Sequence, residues 1–491
     1  MENVFNNMSF SDAWCLSNNG AELYSKETDR LTKVVPSKRQ LRFMEMKYYN
    51  FIHFGMNTFY DREWGNGKEK LKKFNPRLLD TDQWCQVLKN TGSKGIIITA
   101  KHHDGFCLFD TKYTDHNVMN TPFGKDIVKL LSESCKKFGL KLGIYLSPWD
   151  RHEKTYGTEA YNDFFVNQLT ELCKNYGEIF TFWFDGACGE GPNGKKQVYD
   201  WDRYYRVIRK YHPDAVISIC GPDVRWIGNE GGNVRKSEWS VIPGEKDSNS
   251  LVMENSQTDA SQLREMAEKL NDTSSDLGSR DVVKNFKNLV FKPAEADLSV
   301  TYGWFYHESI YYFPRKRRTA KYLADVFFNT VGGNASMLLN VPPDREGLIS
   351  EREIDTLEEF TRRIKAPFRY PVEDCKITLL NLDGSERKAY GGYCDLDDDE
   401  TSIKITMPEG KKLATIYLEE DLKYGQRVEE FKVFAKYKDD EKYYEIYGGT
   451  VIGSGKIIRF PDFVDAQEIV ITPTQSRKNP MIKKVLVFSS K

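Results

Sequence analysis

Asp185 is the residue best placed to do chemistry. It ends the apolar run IFTFWF and is followed by Gly186, so its carboxylate should emerge at the tip of a buried strand. A buried capping or ion-paired carboxylate is the plain alternative. His102 and His103 stand together after a second apolar run, GIIITA. Adjacent side chains at a strand end point in opposite directions, so joint chelation of one metal is awkward. Cys107 and His116 nearby make no recognised metal spacing with the pair, so hydrogen bonding to a hydroxyl-rich ligand is the better fit, with satisfied core histidines as the plain alternative. His53 lies in FIHFG, Glu63 and Trp64 in DREWG, Tyr145 in GIYLSPW, Arg225, Trp226, Asn229 and Glu230 in RWIGNE, Trp239 in KSEWS, and Trp304 and His307 in GWFYH. Trp64, Trp149, Trp183, Trp226 and Trp304 all fall near expected strand ends, where indole faces can stack on sugar rings. Carboxylates, imidazoles and indoles without a phosphate loop or a nucleophilic serine elbow describe a site for a neutral sugar. Glycoside cleavage needs two carboxyl groups. Asp185 supplies one, while Glu63, Glu190, Glu230, Glu238 and Glu295 compete for the other, and the residues alone do not choose among them.

The elements that must hold these groups alternate. Apolar runs at Asn50–Phe54, Gly95–Ala100, Lys141–Ser147, Ile179–Asp185, Ala215–Cys220 and Ala335–Val341 read as strands. Between them, Thr81–Thr91, Ile127–Phe138, Glu159–Tyr176, Trp201–Tyr211 and Ala320–Thr330 read as helices. With weaker strands near Glu238 and Val300, the count suits a (β/α)8 barrel, whose active site lies at the carboxyl ends of its strands. The missing GxGxxG after the first strand disfavours a dinucleotide-binding sheet. The segment 245–281 reads as a polar excursion with one helix at about Gln262–Leu270. After a charged helix at Ser350–Ile364 the pattern changes to short alternating strands, as in an antiparallel β-sandwich. The expected division is therefore a catalytic barrel over 1–365 and a sandwich over 366–491.

A chain of 491 residues exceeds the roughly 250–300 at which one core stops growing, which also calls for two domains. Lys+Arg at 71 against Asp+Glu at 72 leaves no charge excess to draw the chain to nucleic acid or an anionic membrane. No apolar run is long enough to span a bilayer, so no membrane insertion is expected. No secretory pattern opens the chain, and nine scattered cysteines form no CxxC pair. A reducing setting is the simpler reading, cytoplasmic unless an export signal has been trimmed from the chain. All seven histidines and nine tryptophans precede residue 310, which places the site in the first part. The sandwich is read as packing against the barrel; a weak sugar module using Tyr390 or Tyr393 is the rival.

At these residues the chain resembles the α-L-fucosidases, family 29 of the glycoside hydrolases. The similar stretches are FIHFGMNTFYDREWG, GIIITAKHHDGFCLFDTKYTDHNV, GIYLSPWDRH, FWFDGACGEGPNGKKQVYDW, GPDVRWIGNEGG, PAEADLSVTYGWFYH and VGGNASMLLNVPPDREGLI, spread over roughly residues 40–350. The resemblance implies a barrel followed by a β-sandwich, with Asp185 as nucleophile. It implies that His53, Glu63, Trp64, His102, His103, Tyr145 and Trp183 bind fucose, with Trp304 near the sugar's methyl group. RWIGNE resembles the subgroup specific for α-1,3/1,4-linked fucose, in which its glutamate is the acid/base, here Glu230. That subgroup implies branched substrates such as Lewis a, Lewis x and 3-fucosyllactose, with Trp226 and Trp239 as candidates to stack on the neighbouring galactose. A retaining double displacement without metal or organic cofactor follows. A sugar-binding module without catalysis, a metal-dependent hydrolase built on the histidine pair and an α-galactosidase are the rival classes.

Overall fold

The computed structural model describes residues 26–246, 248–256, 276–308, 317–381, 383–389, 394–396 and 400–490. Eight parallel strands form its central sheet: β1 (Tyr48–Ile52), β2 (Gly95–Lys101), β3 (Lys141–Leu146), β4 (Ile179–Phe184), β5 (Val216–Ile219), β6 (Arg225–Trp226), β7 (Ala294–Ser299) and β8 (Ala335–Asn340). Their order is β5-β4-β3-β2-β1-β8-β7-β6. A parallel bridge from Ser218 to Val224 brings the free edges together, so the sheet is a nearly closed barrel. Most of these strands are buried along their whole length, as parallel strands covered on both faces must be.

Among the described residues six longer helices surround the sheet: α1 (Thr81–Asn90), α2 (Ile127–Phe138), α3 (Glu159–Asn175), α4 (Trp201–Tyr211), α5 (Ala320–Thr330) and α6 (Glu351–Lys365). Their starts follow capping chemistry. Asp80, Asp126, Asp200, Thr319 and Ser350 each accept a hydrogen bond from a first-turn N–H, worth about 1 kcal/mol apiece. Gly139, at φ 68, ends α2 in the left-handed conformation.

The barrel is irregular between β5 and β6. No helix joins them; the Cys220–Val224 turn returns the chain directly, which requires Ile219 to sit at φ 70. A β-branched residue there is strained. Asp223 fastens the turn, accepting from the Ile217 N–H at 2.8 Å and pairing with Arg209. The strand expected near Glu238 is not part of the barrel. The sixth strand is Arg225–Trp226, and the Val241–Pro243 segment pairs antiparallel with Leu289–Phe291 outside it. Glu238 is instead a buried ion-pair partner of Arg225 and Arg235. The strand expected near Val300 is β7. The helix expected at about Gln262–Leu270 lies outside the described residues, as do Tyr390 and Tyr393.

Beyond α6 the chain forms a six-stranded and a four-stranded antiparallel sheet. Ile403, Val433 and Ile469 of the first share one apolar core with Ile416, Ile458 and Val487 of the second. Tyr443–Gly449 and Glu386–Lys388 are strands that the alternation did not reveal. Both lie at sheet edges, where exposed residues blur the polar–apolar signal. The sandwich is tied to the barrel: Arg280 pairs with Glu429 at 2.8 Å, the Ser240 N–H donates to Gln426 at 2.9 Å, and the Ser454 N–H donates to Asn334 at 2.7 Å.

Candidate active site

A pocket opens at the carboxyl ends of the barrel strands. Phe51, His53, Glu63, Trp64, His102, His103, Tyr145, Trp183, Asp185, Trp226, Glu230 and Trp304 line it, together with Ala187, Ile219, Ser256 and Asp297. Strands β1 to β4 and the loops behind them supply the floor and one wall; β6, β7 and their loops supply the other.

Asp185 directly follows β4. Tyr145 Oη donates to its Oδ2 at 2.9 Å, and the Ala187 N–H donates to its Oδ1 at 2.8 Å. Burial raises its pKa, while those donors and the Gly186 N–H hold the rise back by favouring the carboxylate. Gly186 is required by close approach: a Cβ there would collide with Ser256, which follows the Asn249–Asn255 helix.

The three pocket imidazoles are neutral. Burial pulls His53 and His103 down to about 3 and His102 well below the usual imidazole range. Their partners then decide which nitrogen carries the proton. His53 Nδ1 donates to Asn340 Oδ1 at 2.9 Å, leaving Nε2 as an acceptor. The Ser147 hydroxyl donates to the Trp149 carbonyl, so it accepts from His103 Nδ1 at 2.7 Å, and His103 Nε2 is likewise an acceptor. Being neutral, His103 forms no ion pair with Asp185, and its 3.8 Å approach is too long for a direct hydrogen bond. The Asn57 amide donates to the Glu63 carbonyl and to His102 Nδ1, so His102 presents an Nε2–H donor. Two acceptors and one donor on a rigid wall suit a sugar's hydroxyls. Tyr145 stacks between His102, at 5.7 Å, and Trp183, at 5.4 Å. Among the described residues no group of three or more His, Cys, Asp or Glu side chains is arranged to hold a metal ion.

Glu230 stands across the pocket in the loop after β6. Trp304 Nε1 donates to its Oε2 at 3.1 Å, and burial, aided by the nearby Asp185 and Glu63 charges, pushes it up to about 7. The competing glutamates have other settings. Glu190 is exposed and absent from the pocket lining. Glu238 is locked to arginines. Glu295 lies beneath the pocket, accepting from Tyr49 Oη and from Trp183 Nε1 at 2.6 Å. Glu63 accepts from the backbone N–H groups of Trp304 and Phe305.

Eleven of the twelve expected site residues line this one pocket; Trp239 does not. Its ring is 3% exposed, packs with Ile242 and Val451, and carries the Arg477 guanidinium 4.0 Å above it. Trp239 therefore belongs to the contact between barrel and sandwich. Trp149 stands behind Trp64, its Nε1 donating to the Glu190 carbonyl. Sequence reasoning missed Asp297, whose Oδ1 accepts from Trp226 Nε1 at 2.8 Å. Burial and the Glu230 charge raise it well above the usual range. The signal was present: Glu295, Asp297 and Ser299 alternate along β7 and share its inner face.

The α-L-fucosidase family model matches residues 21–366, which include the whole barrel and this pocket. The chain belongs to the α-L-fucosidase family. α-L-Fucosidase 1 of Arabidopsis thaliana is 33% identical over 475 residues, covering 93% of this chain and 88% of that protein. A Ruminococcus gnavus family 29 fucosidase solved in complex with fucose superposes with a TM-score of 0.76 at 30% identity, covering 93% of this chain and 95% of that one. A Bacteroides ovatus structure provisionally assigned the same activity gives 0.79 at 38% identity, covering 95% and 76%. This fucosidase is thus a glycoside hydrolase. No described helix of the fucosidase is long and apolar enough to cross a membrane.

Proposed function

We propose that the chain removes terminal α-1,3/1,4-linked fucose from branched glycans by a retaining double displacement, with Asp185 as nucleophile and Glu230 as acid/base. One observation carries the mechanism. In a pocket that Glu63 and Asp297 also line, Asp185 has three hydrogen-bond donors aimed at its carboxylate and Glu230 is a carboxyl pushed up to about 7. Donors that favour the charged form of one carboxyl, beside burial that favours the neutral form of the other, suit a nucleophile and an acid.

In the first step Asp185 attacks the anomeric carbon, the glycosidic C–O bond breaks, and the Glu230 proton passes to the departing oxygen. In the second, Glu230 takes a proton from water, the water oxygen bonds to the anomeric carbon, and the Asp185–sugar bond breaks. His53, His102, His103, Tyr145 and Glu63 hold the fucose hydroxyls, where bonds that tighten in the oxocarbenium-like transition state lower the barrier. Trp183 and Trp304 give the 6-deoxy methyl an apolar wall, and Trp64 closes the β1 side. Trp226, anchored by Asp297, faces the departing sugar.

RWIGNE supports the linkage preference, as does the position of Trp226 in the pocket lining beside Glu230. The division of labour in this reading falls between 1–365 and 366–491, where α6 gives way to β-structure. The test is turnover of 3-fucosyllactose against 2'-fucosyllactose, with the first-formed anomer of fucose followed by NMR. Faster release from 3-fucosyllactose as the α-anomer is expected. Equal or better turnover of 2'-fucosyllactose overturns the linkage, and a β-anomer overturns the retaining mechanism.

A further inference from the structure

Glu63 is held by more than the backbone. Besides the Trp304 N–H at 2.7 Å and the Phe305 N–H at 3.4 Å, its Oε1 meets Nε2 of His307. The other ring nitrogen, Nδ1, faces Asp61 Oδ1 at 3.2 Å. Asp61 also accepts from the Glu308 N–H at 3.1 Å and lies 3.9 Å from Arg345. Arg345 in turn donates to the Thr58 carbonyl and pairs with Glu308 at 2.9 Å. The loops after β1, β7 and β8 therefore meet around one imidazole.

A neutral imidazole has one N–H and can satisfy only one of two flanking carboxylates; the imidazolium satisfies both. Burial, the largest single influence, disfavours the charge on His307, but Glu63 and Asp61 together outweigh it and leave His307 above its ordinary value. Room for the clamp depends on Gly303. It sits at φ +127, and a Cβ there would lie 2.6 Å from Glu63 Oε1.

We propose that His307 is a positioning residue which, bridging Asp61 and Glu63 as an imidazolium, fixes the Glu63 carboxylate and Trp304 together and so sets the affinity for the sugar. The assignment rests on the reading of Glu63 and Trp304 as fucose contacts. Among the described residues, the charged groups facing His307 are Glu63 and Asp61 from the β1 loop, Arg345 from the β8 loop through Asp61, and Glu308 beside it. A proton held more tightly in the folded protein is present at low pH and lost as pH rises through the folded value. The clamp is therefore closed on the acid side and opens on the alkaline side.

Asp61 allows a mild test. It sits at φ 56 at the end of the Met56–Tyr60 helix, a conformation that asparagine tolerates. Asp61→Asn thus removes the charge and keeps the acceptor. In the full chain, the His307 imidazole should titrate above an ordinary histidine by NMR, and Asp61→Asn should move it down. With 4-nitrophenyl fucoside, wild-type KM should rise with pH through the same value. His307→Gln should raise KM roughly tenfold at low pH, as expected for losing one charge-assisted hydrogen bond, and flatten its pH dependence. Asp61→Asn should move the rise in KM to lower pH. An unshifted imidazole titration in Asp61→Asn, an unchanged KM in His307→Gln, or a loss confined to kcat would each overturn the clamp. If the wild-type chain turns over no fucoside, the reading of the site fails; the imidazole titration needs no substrate and still decides the clamp.

Discussion

Replacing Glu230 by alanine separates the two carboxyl roles. At pH 6 a carboxyl with a pKa of about 7 is about 90% protonated, whereas one left at 4.5 would be about 3% protonated. If Glu230 is the general acid, as proposed, the pocket raises its supply about 30-fold, and kcat/KM should fall about tenfold per pH unit above pH 7. Removing the carboxyl should cost roughly 10²–10⁴ on an oligosaccharide, whose departing hydroxyl needs a proton. The loss should be much smaller on 4-nitrophenyl fucoside, because nitrophenolate leaves unaided, and the alkaline limb should disappear on both substrates. Azide should then restore turnover of the aryl fucoside by attacking the fucosyl-enzyme without a base, giving the α-azide with net retention. In Asp185→Ala, azide can only displace the aglycone directly, giving the β-azide from a variant slowed by several orders of magnitude. The assays are stopped-flow release of nitrophenol and NMR of the azide product. An alkaline limb persisting near pH 7 in Glu230→Ala, equal losses on both substrates, or a β-azide from that variant would refute the acid/base role.

Tyr145→Phe removes the hydroxyl that donates to Asp185 at 2.9 Å and holds its pKa down; the acid limb of kcat/KM should move to higher pH, measured on the aryl fucoside. Trp239→Ala should lower stability by about 3–5 kcal/mol in urea titrations while leaving KM of the folded protein unchanged, because its ring packs under Arg477 away from the pocket. Glu295, 1% exposed and pushed up to about 7, binds its proton more tightly folded than unfolded. Its contribution, about 3 kcal/mol, is complete below the unfolded value near 4.5 and lost as pH rises through 7. The fall in thermal midpoint between pH 5 and pH 8 should therefore shrink in Glu295→Gln, and an unchanged fall would count against this.

The barrel was legible in the sequence because parallel strands buried on both faces leave continuous apolar runs, and polar residues ending those runs mark the mouth. Asp185 and the His102–His103 pair stand out for that reason. The sixth strand did not, since two residues, Arg225 and Trp226, make too short a stretch to show a period. The resemblance of the motifs pointed to Glu230 before any geometry was known, and the fold gives three of its rivals other settings. Glu238 is neutralised by Arg225 and Arg235, Glu190 is exposed, and Glu295 lies beneath Trp183, none of which a linear pattern encodes. Trp239 failed for the same reason: a tryptophan near an expected strand end looks alike whether it faces a pocket or a second sheet. Protonation is likewise a tertiary property. Whether His53 accepts or His102 donates depends on Asn340 and Asn57, brought in from elsewhere in the chain. Composition and period set where side chains emerge; charge, tautomer and partner depend on distance through space, which only the closed barrel supplies.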